Sequence, residues 1–360
     1  MPNIQTPLNC LFYPTDRAGC GHIRAILPLN QLNATYGPKG WFSGTTAYNL
    51  IGDPNYLKLF NNIYFQKVFV DHQINYIVQV MNLKRKGLCN YGIFMDLDDL
   101  PIEIPDYHFS KKAYLPEEKT IEKLRVIFDN VDVFTTSTQY LKMKMQKIKG
   151  NKLGGCNFLV VPNLIPKYLY YSENANQLKN NEKPRIVWAG SNCHFSPTDL
   201  GDLGIIYELV KNTQHEFDWV FITAQLPEAF KKMNIKVINW ISDIYSYPSK
   251  LREIKADFGI APLLGNEFNK CKSNIKLLEY HSSGCVSLTT NLEPYEKESS
   301  LFFSGDWKTD REVIIDTYQN KVKMLEILNL QQKMLQNYWM ETNFQRVYGN
   351  LFGIKTENIT

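Results

Sequence analysis

Short apolar runs alternate with amphipathic segments along the first half of the chain. Between 74 and 86, for example, Ile74, Ile77, Val78 and Met81 recur at helical spacing. Buried strands are predicted at 8–13, 67–70, 91–95, 131–136 and 158–161, and helices at about 22–33, 74–86, 119–128 and 138–148. Strands that alternate with helices are typical of a parallel, doubly wound α/β sheet.

Strands and helices alternate again in the second half of the chain, after the segment 167–184, in which apolar periodicity is lost. Strands are predicted there at 185–191, 219–222, 235–238 and 258–261, and a helix stop followed by a buried strand within 283–289. Helices are predicted at 203–211 and from 310 onward, and the segment 247–254 leads into the strand at 258–261. A chain of 360 residues is long enough for two domains with separate cores. We therefore predict a first domain at 1–166, a linker at 167–184, a second domain at 185–330 and a C-terminal helical segment at 331–360.

The composition is that of an ordinary soluble globular protein, with 44% apolar and 21% charged residues. No run of eighteen apolar residues predicts a membrane helix, and residues 1–5 carry neither a charged n-region nor an apolar h-region. We therefore expect a cytoplasmic protein. The seven cysteines are scattered without a CxxC pair, so neither a disulfide framework nor a zinc site is expected.

The segment 269–280 carries the strongest chemical pattern. It follows a predicted strand and opens a helix, at the carboxyl end of a parallel sheet, where open α/β folds bind ligands. The spacing of Lys272, Lys276 and Glu279 predicts one helical face. Two ammonium groups, the Ser273 hydroxyl and a helix N-terminus suit a diphosphate, and the carboxylate suits a ribose diol. The alternative is a solvated, charged helix start.

Two further loops follow strands of the first half. In the loop at 16–24, Gly19 and Gly21 let the backbone approach a ligand closely, although Gly-x-Gly is also a common tight turn. The second loop begins at Asp96 and holds three carboxylates, which raise one another's pKa. It is interpreted either as a functional carboxylate site, a metal-binding Asp-x-Asp included, or as an Asp-rich loop that caps a turn.

The pattern Lys272-Ser273-x-x-Lys276-x-x-Glu279-Tyr280, followed by Gly284, resembles the donor-binding segment of GT-B glycosyltransferases of the GT4-like group. The variant with Lys-Ser before the helix is one associated with tailed phages and bacteria. The resemblance spans most of residues 8–300. It implies two Rossmann-like doubly wound domains that face a central cleft, with the C-terminal helix returning to the N-terminal domain.

The resemblance also implies roles for particular residues. Of the two family glutamates that flank the helix start, the second matches Glu279 and binds ribose, whereas the first falls on Cys271. Asp96 takes the place of a histidine that touches the reacting sugar, an interpretation we favour over the metal motif of GT-A enzymes. The donor-binding residues implied are Gly19, Cys20, Gly21, Arg24, Gly190, Ser191, Asn192, Tyr247, Ser273 and Glu279.

The activity implied is transfer of a hexose or pentose from a nucleoside-diphosphate sugar such as a UDP-sugar to a hydroxyl group. The family retains anomeric configuration and needs no metal and no cofactor beyond the donor. Asp96, Lys272 and Lys276 are the predicted catalytic residues. The two lysines would stabilise the charge that develops on the departing diphosphate.

The acceptor is left open by the sequence. A basic stretch of lysines is compatible with duplex DNA, but is also compatible with a plain solvated face; its members are Lys142, Lys144, Lys147, Lys149 and Lys152. The sharper hypothesis is hydroxymethylcytosine in phage DNA, modified in the host cytoplasm. The alternatives are a saccharide or lipid-linked acceptor, or a non-catalytic accessory protein that binds nucleotide sugars or DNA.

Overall fold

The computed structural model describes residues 8–109, 111–113, 115–150, 155–295 and 301–354. These residues divide into two compact units. The first unit is drawn from Met1–Ile102, Leu115–Leu164 and Trp339–Thr360, and the second from Glu103–Tyr114 and Ile165–Tyr338. Within the described ranges, every helix is too short or too polar to cross a bilayer.

The first unit is built on a parallel sheet with strand order β2-β1-β3-β4-β5-β6. Its strands are β1 (Leu8–Tyr13), β2 (Phe42–Thr46), β3 (Asn62–Gln66), β4 (Gly92–Leu97), β5 (Val133–Thr136) and β6 (Asn157–Val160). Its helices up to β6 are α1 (Gly19–Gly21), α2 (Leu27–Tyr36), α3 (Pro54–Leu57), α4 (Asp71–Arg85), α5 (Glu117–Asn130) and α6 (Gln139–Lys149), with a π-helical turn at His22–Ile26.

The predicted strand at 67–70 is wrong. The strand at that place is β3, which pairs with β1 and β4 and ends before Lys67, where the backbone adopts a φ of 52°. Its polar ends, Asn62 and Gln66, are buried together with the apolar residues between them, so the usual contrast between strand and loop is lost. The edge strand β2 was not predicted because its Ser-Gly-Thr-Thr sequence has no apolar run.

The second unit contains another parallel sheet, with strand order β12-β11-β10-β7-β8-β9. The strands are β7 (Arg185–Ala189), β8 (Asp218–Ile222), β9 (Ile235–Ile238), β10 (Phe258–Ala261), β11 (Val286–Thr289) and β12 (Leu301–Phe302). The helices are α7 (Lys167–Tyr170), α8 (Tyr207–Thr213), α9 (Tyr247–Glu253), α10 (Glu267–Lys270), α11 (Ile275–Ser282), α12 (Trp307–Gln319) and α13 (Lys321–Leu335). Two doubly wound parallel sheets confirm the predicted α/β class.

Side-chain alternation along β7 shows how the second sheet is buried on both faces. Ile186 and Trp188 pack into one apolar cluster, whereas Val187 and Ala189 pack into another. A strand that is covered on both faces has a continuous run of apolar residues in the sequence. The strand β7 was therefore predicted correctly from the sequence. The sheet therefore presents only its edges and strand ends to solvent and ligands.

Residues 103–114 belong to the second unit, although the predicted division places them in the first domain. Their anchor is Tyr107, whose hydroxyl donates a hydrogen bond to Asp202 Oδ1 at 2.9 Å. The Tyr107 ring also lies against Gly201, where a β-carbon would come within 2.6 Å of it. Gly201 has a φ of 50°, so both the backbone and the packing favour glycine there.

The chain returns to the first unit at Trp339, after α13 has ended in the second unit; the predicted segment 331–360 begins earlier. Helix α14 (Met340–Phe344) packs against α2. Further on, Phe352 lies over the first sheet. Its ring centroid is 5.9 Å from that of Phe12, 6.3 Å from that of Tyr64 and 5.4 Å from that of Phe94.

Replacing Phe352 with alanine should lower the free energy of unfolding of the first unit by about 3 kcal/mol, because the side chain is buried among aromatic rings. Urea unfolding followed by fluorescence measures the loss. The matched control is Leu330→Ala, since Leu330 is 51% exposed on α13. A loss below about 1 kcal/mol for Phe352→Ala would show that the C-terminal segment does not complete this core.

Candidate functional site

Two of the predicted ligand loops lie side by side at one edge of the second sheet. β7 and β10 are neighbouring parallel strands, with Phe258 opposite Ile186. The carboxyl ends of parallel neighbours meet at the same edge of a sheet. The loop that follows β7 carries Gly190, Ser191 and Asn192, and the loop that follows β10 leads to α10 and α11.

The segment between α10 and α11 differs from the prediction in one respect. Lys272 and Ser273 precede the helix, which begins at Ile275 with Asn274 at its N-cap. The expectation that Lys272 shares a helical face with Lys276 is therefore wrong, although both side chains remain partly exposed at this edge. The Lys272 ammonium group lies 4.6 Å from the centroid of the Phe268 ring. This contact holds the flexible chain over an aromatic face.

Glu279 is held in place from inside the second unit. Its Oε2 accepts a hydrogen bond from the Tyr247 hydroxyl at 3.0 Å and lies 3.5 Å from Lys276 Nζ. Burial, followed by the charge of Glu279, raises the pKa of Tyr247 well above its ordinary value, so this hydroxyl stays a donor. Tyr247 was predicted to contact the ligand directly. It is 6% exposed and packs in the core, with its hydroxyl on Glu279.

The loop after β7 needs its glycine. A β-carbon at Gly190 would lie 2.3 Å from the Trp188 ring, so no larger residue fits without displacing that ring. Ser191 forms the N-cap of the 3₁₀ turn Asn192–His194. The Oδ1 atom of Asn192 is buried without a hydrogen-bond partner. A buried acceptor left unpaired is costly, and an incoming donor group would satisfy it.

A buried hydrogen-bond network that was not predicted lies beside this loop. Asp202 is fully buried, and its Oδ2 lies 2.8 Å from His194 Nδ1. Its Oδ1 accepts hydrogen bonds from the Tyr107 hydroxyl (2.9 Å), Asn269 Nδ2 (2.7 Å) and the backbone N–H of Leu264 (2.8 Å). These residues are far apart in sequence, so local patterns do not connect them.

In the first unit, Arg24 and Asp96 form a buried ion pair. Arg24 Nε and Nη2 donate to the two carboxylate oxygens of Asp96 at 2.9 and 2.5 Å, and the Thr135 hydroxyl donates to the same carboxylate at 2.6 Å. Arg24 Nη1 donates to Val161 O and to Asn163 Oδ1. Both charged side chains are at most 1% exposed. Both members of this pair therefore lie in the core of the unit. The catalytic role predicted for Asp96 and the donor-binding role predicted for Arg24 stay predictions.

The glycine loop after β1 is organised by an aspartate. Asp16 Oδ1 accepts hydrogen bonds from the backbone N–H groups of Ala18 (2.8 Å) and Gly21 (3.0 Å). A β-carbon at Gly21 would lie 2.0 Å from the Asp16 carbonyl oxygen, whereas one at Gly19 would meet open space. Gly21 is thus required by the turn itself. Gly19 and Cys20 remain at the carboxyl edge of the first sheet.

Asp98 and Asp99 follow β4 directly, in the loop at the carboxyl end of that strand. Lys67 Nζ lies 3.5 Å from Asp98 Oδ1 and 3.5 Å from Asp99 Oδ2. Asp98 Oδ1 is buried and makes no hydrogen bond. The charge of Asp98, followed by burial, raises the pKa of the Cys20 thiol. Among the described residues, no group of three His, Cys, Asp or Glu side chains is arranged to hold a metal ion.

The basic stretch is spread around α6. Leu141 and Met145 face the core. At 100° per residue, Lys142 and Lys149 lie on one flank of that face, and Lys144 and Lys147 lie toward its other side. Lys152 is outside the described residues. The helix therefore presents its lysines in two groups rather than as one stripe.

Three solved structures show what the chain resembles. An α-glucosyltransferase in complex with UDP-glucose and DNA containing an abasic site aligns with a TM-score of 0.61 at 10% identity, over 96% of this chain and 99% of that one. The apo structure of OtsA aligns with a TM-score of 0.57 at 12% identity, over 97% of this chain and 100% of that one. A trehalose-6-phosphate synthase studied for glycosyltransfer with retention aligns with a TM-score of 0.57 at 10% identity, over 97% and 99% of the two chains.

No protein-family model and no curated protein sequence matches the chain. The structural matches nevertheless cover both chains almost completely. The chain has the fold of the GT-B glycosyltransferases, as its resemblance to them predicted.

Asp96→Asn should lower the free energy of unfolding by about 3–5 kcal/mol, because it leaves the Arg24 guanidinium buried without a counter-charge. Thermal and urea unfolding measure the loss. Asp99→Asn is the control, since Asp99 is partly exposed and such pairs contribute about 1 kcal/mol or less. Unchanged stability of the Asp96→Asn variant would show that this ion pair does not hold the core of the unit together.

Proposed function

We propose that the chain is a glycosyltransferase that uses a nucleoside-diphosphate sugar, of the UDP-sugar class, as donor. One observation carries this proposal. Lys272, Ser273, Lys276 and Glu279 lie at the carboxyl edge of the second sheet, beside the glycine loop at Gly190. Ligands bind at this edge in open α/β sheets. The GT-B fold supports the same assignment.

The donor is held by complementary charge and hydrogen bonding. Lys272 and Lys276 match the two negative groups of a diphosphate, and Ser273 adds a hydroxyl just before the N-terminus of α11. The Glu279 carboxylate, oriented by Tyr247, accepts hydrogen bonds from a ribose diol. Backbone amides of the loop at Gly190–Asn192 complete the diphosphate site.

Charge development explains the chemical step. When the bond between the anomeric carbon and the diphosphate breaks, negative charge grows on the departing oxygen. Lys272 and Lys276 are fixed cations that stabilise this charge, so they are the catalytic residues of the proposal, and no metal is needed for that task. Retention of anomeric configuration is supported by the fold shared with the trehalose-6-phosphate synthase.

The first unit binds the acceptor in this proposal. Asp98 Oδ1 is buried and lacks a hydrogen bond, and it accepts one from the hydroxyl group of the acceptor substrate, while Lys67 balances the charge of the carboxylate. The open backbone at Gly19 and Cys20 allows close approach at the same sheet edge. Asp98 thus acts on the acceptor hydroxyl, whereas the family resemblance implied that Asp96 touches the reacting sugar.

The acceptor proposed first is a hydroxymethylated base in duplex DNA, modified in the cytoplasm of a phage-infected host. Its support is the fold shared with the α-glucosyltransferase that was solved with DNA, together with a net charge of +4. A saccharide acceptor is the second candidate, supported by the likeness to the trehalose-6-phosphate synthase. A non-catalytic protein would bind UDP-sugar without hydrolysing or transferring it.

Glu279→Gln should weaken UDP binding about tenfold, because the neutral amide loses the charge-assisted hydrogen bonds to ribose. The amide oxygen still accepts from Tyr247, so folding should be preserved. Titration calorimetry of UDP measures the change. Glu253→Gln is the control, since Glu253 pairs with Lys250 on the exposed surface of the same unit. Equal UDP affinity in the Glu279→Gln variant and the wild type would remove Glu279 from the site.

Replacing Lys142, Lys144 and Lys147 simultaneously, each by glutamine, should weaken the binding of duplex DNA. If all three lysines contact phosphate, the slope of log K against log salt concentration should become less steep by roughly 2–3. UDP binding should be unchanged. The control removes the same charge from the second unit, by replacing Lys211, Lys231 and Lys250, each of which pairs with a neighbouring glutamate. If the wild type shows no salt-sensitive affinity for duplexes with or without hydroxymethylcytosine, a saccharide becomes the proposed acceptor.

A further inference from the structure

His194 lies in the loop after β7, at the end of the 3₁₀ turn Asn192–His194. Its imidazole is 13% exposed, and Nδ1 is 2.8 Å from Asp202 Oδ2. Within the described residues the other ring nitrogen, Nε2, makes no hydrogen bond. One side of the ring is therefore fixed and the other is available to a ligand.

Asp202 fixes the tautomer of His194. The carboxylate is fully buried and already accepts hydrogen bonds from Tyr107, Asn269 and Leu264 through Oδ1. A carboxylate in this setting only accepts, so His194 Nδ1 carries the proton and donates to Oδ2. In the neutral imidazole, Nε2 is then unprotonated and can accept a hydrogen bond or a proton. Burial of the network holds the ring in one orientation.

The charged groups that act on His194 come from two other elements. Burial is the main cause that lowers the pKa of His194. The hydrogen bond to Asp202 raises this pKa, and the positive charges of Lys272 and Lys276 lower it further, so that the net shift is downward. The protein without ligand therefore holds a neutral imidazole at neutral pH. The two lysines that act on His194 are those assigned above to the donor diphosphate.

We propose that His194 binds the donor diphosphate through Nε2 and takes up a proton from solvent as the diphosphate binds. This inference rests on the proposed function. Without the ligand, the ammonium groups of Lys272 and Lys276 disfavour protonation of His194. The negative charge of a bound diphosphate offsets this effect, so the protonated imidazolium form of His194 becomes the favoured one. His194 is then a third, proton-dependent cation on the departing group, and Asp202 and Tyr107 are its positioning residues.

The direction of the pH dependence follows from linkage. Because the pKa of His194 rises on binding, its contribution to affinity is complete below the pKa of the free protein and is lost as pH rises through the pKa of the complex. A terminal phosphate also titrates, with a second pKa near 6, and binding favours its ionised form. The contribution of His194 is therefore the difference between the wild type and a His194 variant.

The experiment is titration calorimetry of UDP in buffers of different ionisation enthalpy at neutral pH. On binding UDP, the wild-type protein should take up a fraction of a proton more than the His194→Asn variant. Asparagine keeps a donor near the position of Nδ1 but has no atom at that of Nε2. This variant should therefore bind UDP roughly tenfold more weakly. His194→Gln reaches the Nε2 position but cannot be protonated. It should bind more tightly than His194→Asn and show the same loss of proton uptake.

His215→Asn is the matched control, because His215 is exposed on the same unit. Melting temperatures establish that each variant is folded. Equal affinity and equal proton uptake in the wild type and both His194 variants would overturn the inference and leave UDP binding intact. No UDP binding by the wild type would instead overturn the proposed function, and this inference with it.

Discussion

The parallel pairing of β7 with β10 is the constraint on which the candidate site depends. It brings the ends of two strands that are about seventy residues apart in the chain to one edge of the sheet. Each strand is buried on both faces, so its position is set by the core and not by the loops. Rigid strands with functional loops at their ends explain how Gly190 and Lys272 come to lie at one edge.

The positions of the carboxylates at this edge of the sheet are explained by the positive charges that they face. Lys272 and Lys276 disfavour a positive charge on His194. Carboxylates lie beside these side chains, with Asp202 next to His194 and Glu279 next to Lys276. Both carboxylates are held by tyrosine hydroxyls, from Tyr107 and Tyr247. These side chains are thus held in one arrangement, and the proposed function requires such an arrangement for electrostatic stabilisation of a leaving group.

The sequence predicted what is local. Strands with continuous apolar runs were predicted within about two residues of their observed bounds. Lys272, Lys276 and Glu279 were chosen as candidate site residues because they share one short segment. Local patterns say less about which polar side chains are buried. Asp96 resembles a functional carboxylate in the sequence, and in the structure it lies in the core, paired with Arg24. Tyr107 lies 95 residues from Asp202, a separation over which one sequence carries no pairing signal.

Hydrogen–deuterium exchange with and without UDP tests the central claim most directly, because it locates the ligand without assuming any residue's role. The account predicts slower amide exchange at 190–194 and 272–280 when UDP is added. It predicts no change at the opposite edge of the same sheet, where Arg185, Asn234 and Lys236 line a separate hollow. Protection confined to that hollow, or no protection at 190–194 and 272–280 under saturating UDP, would contradict it.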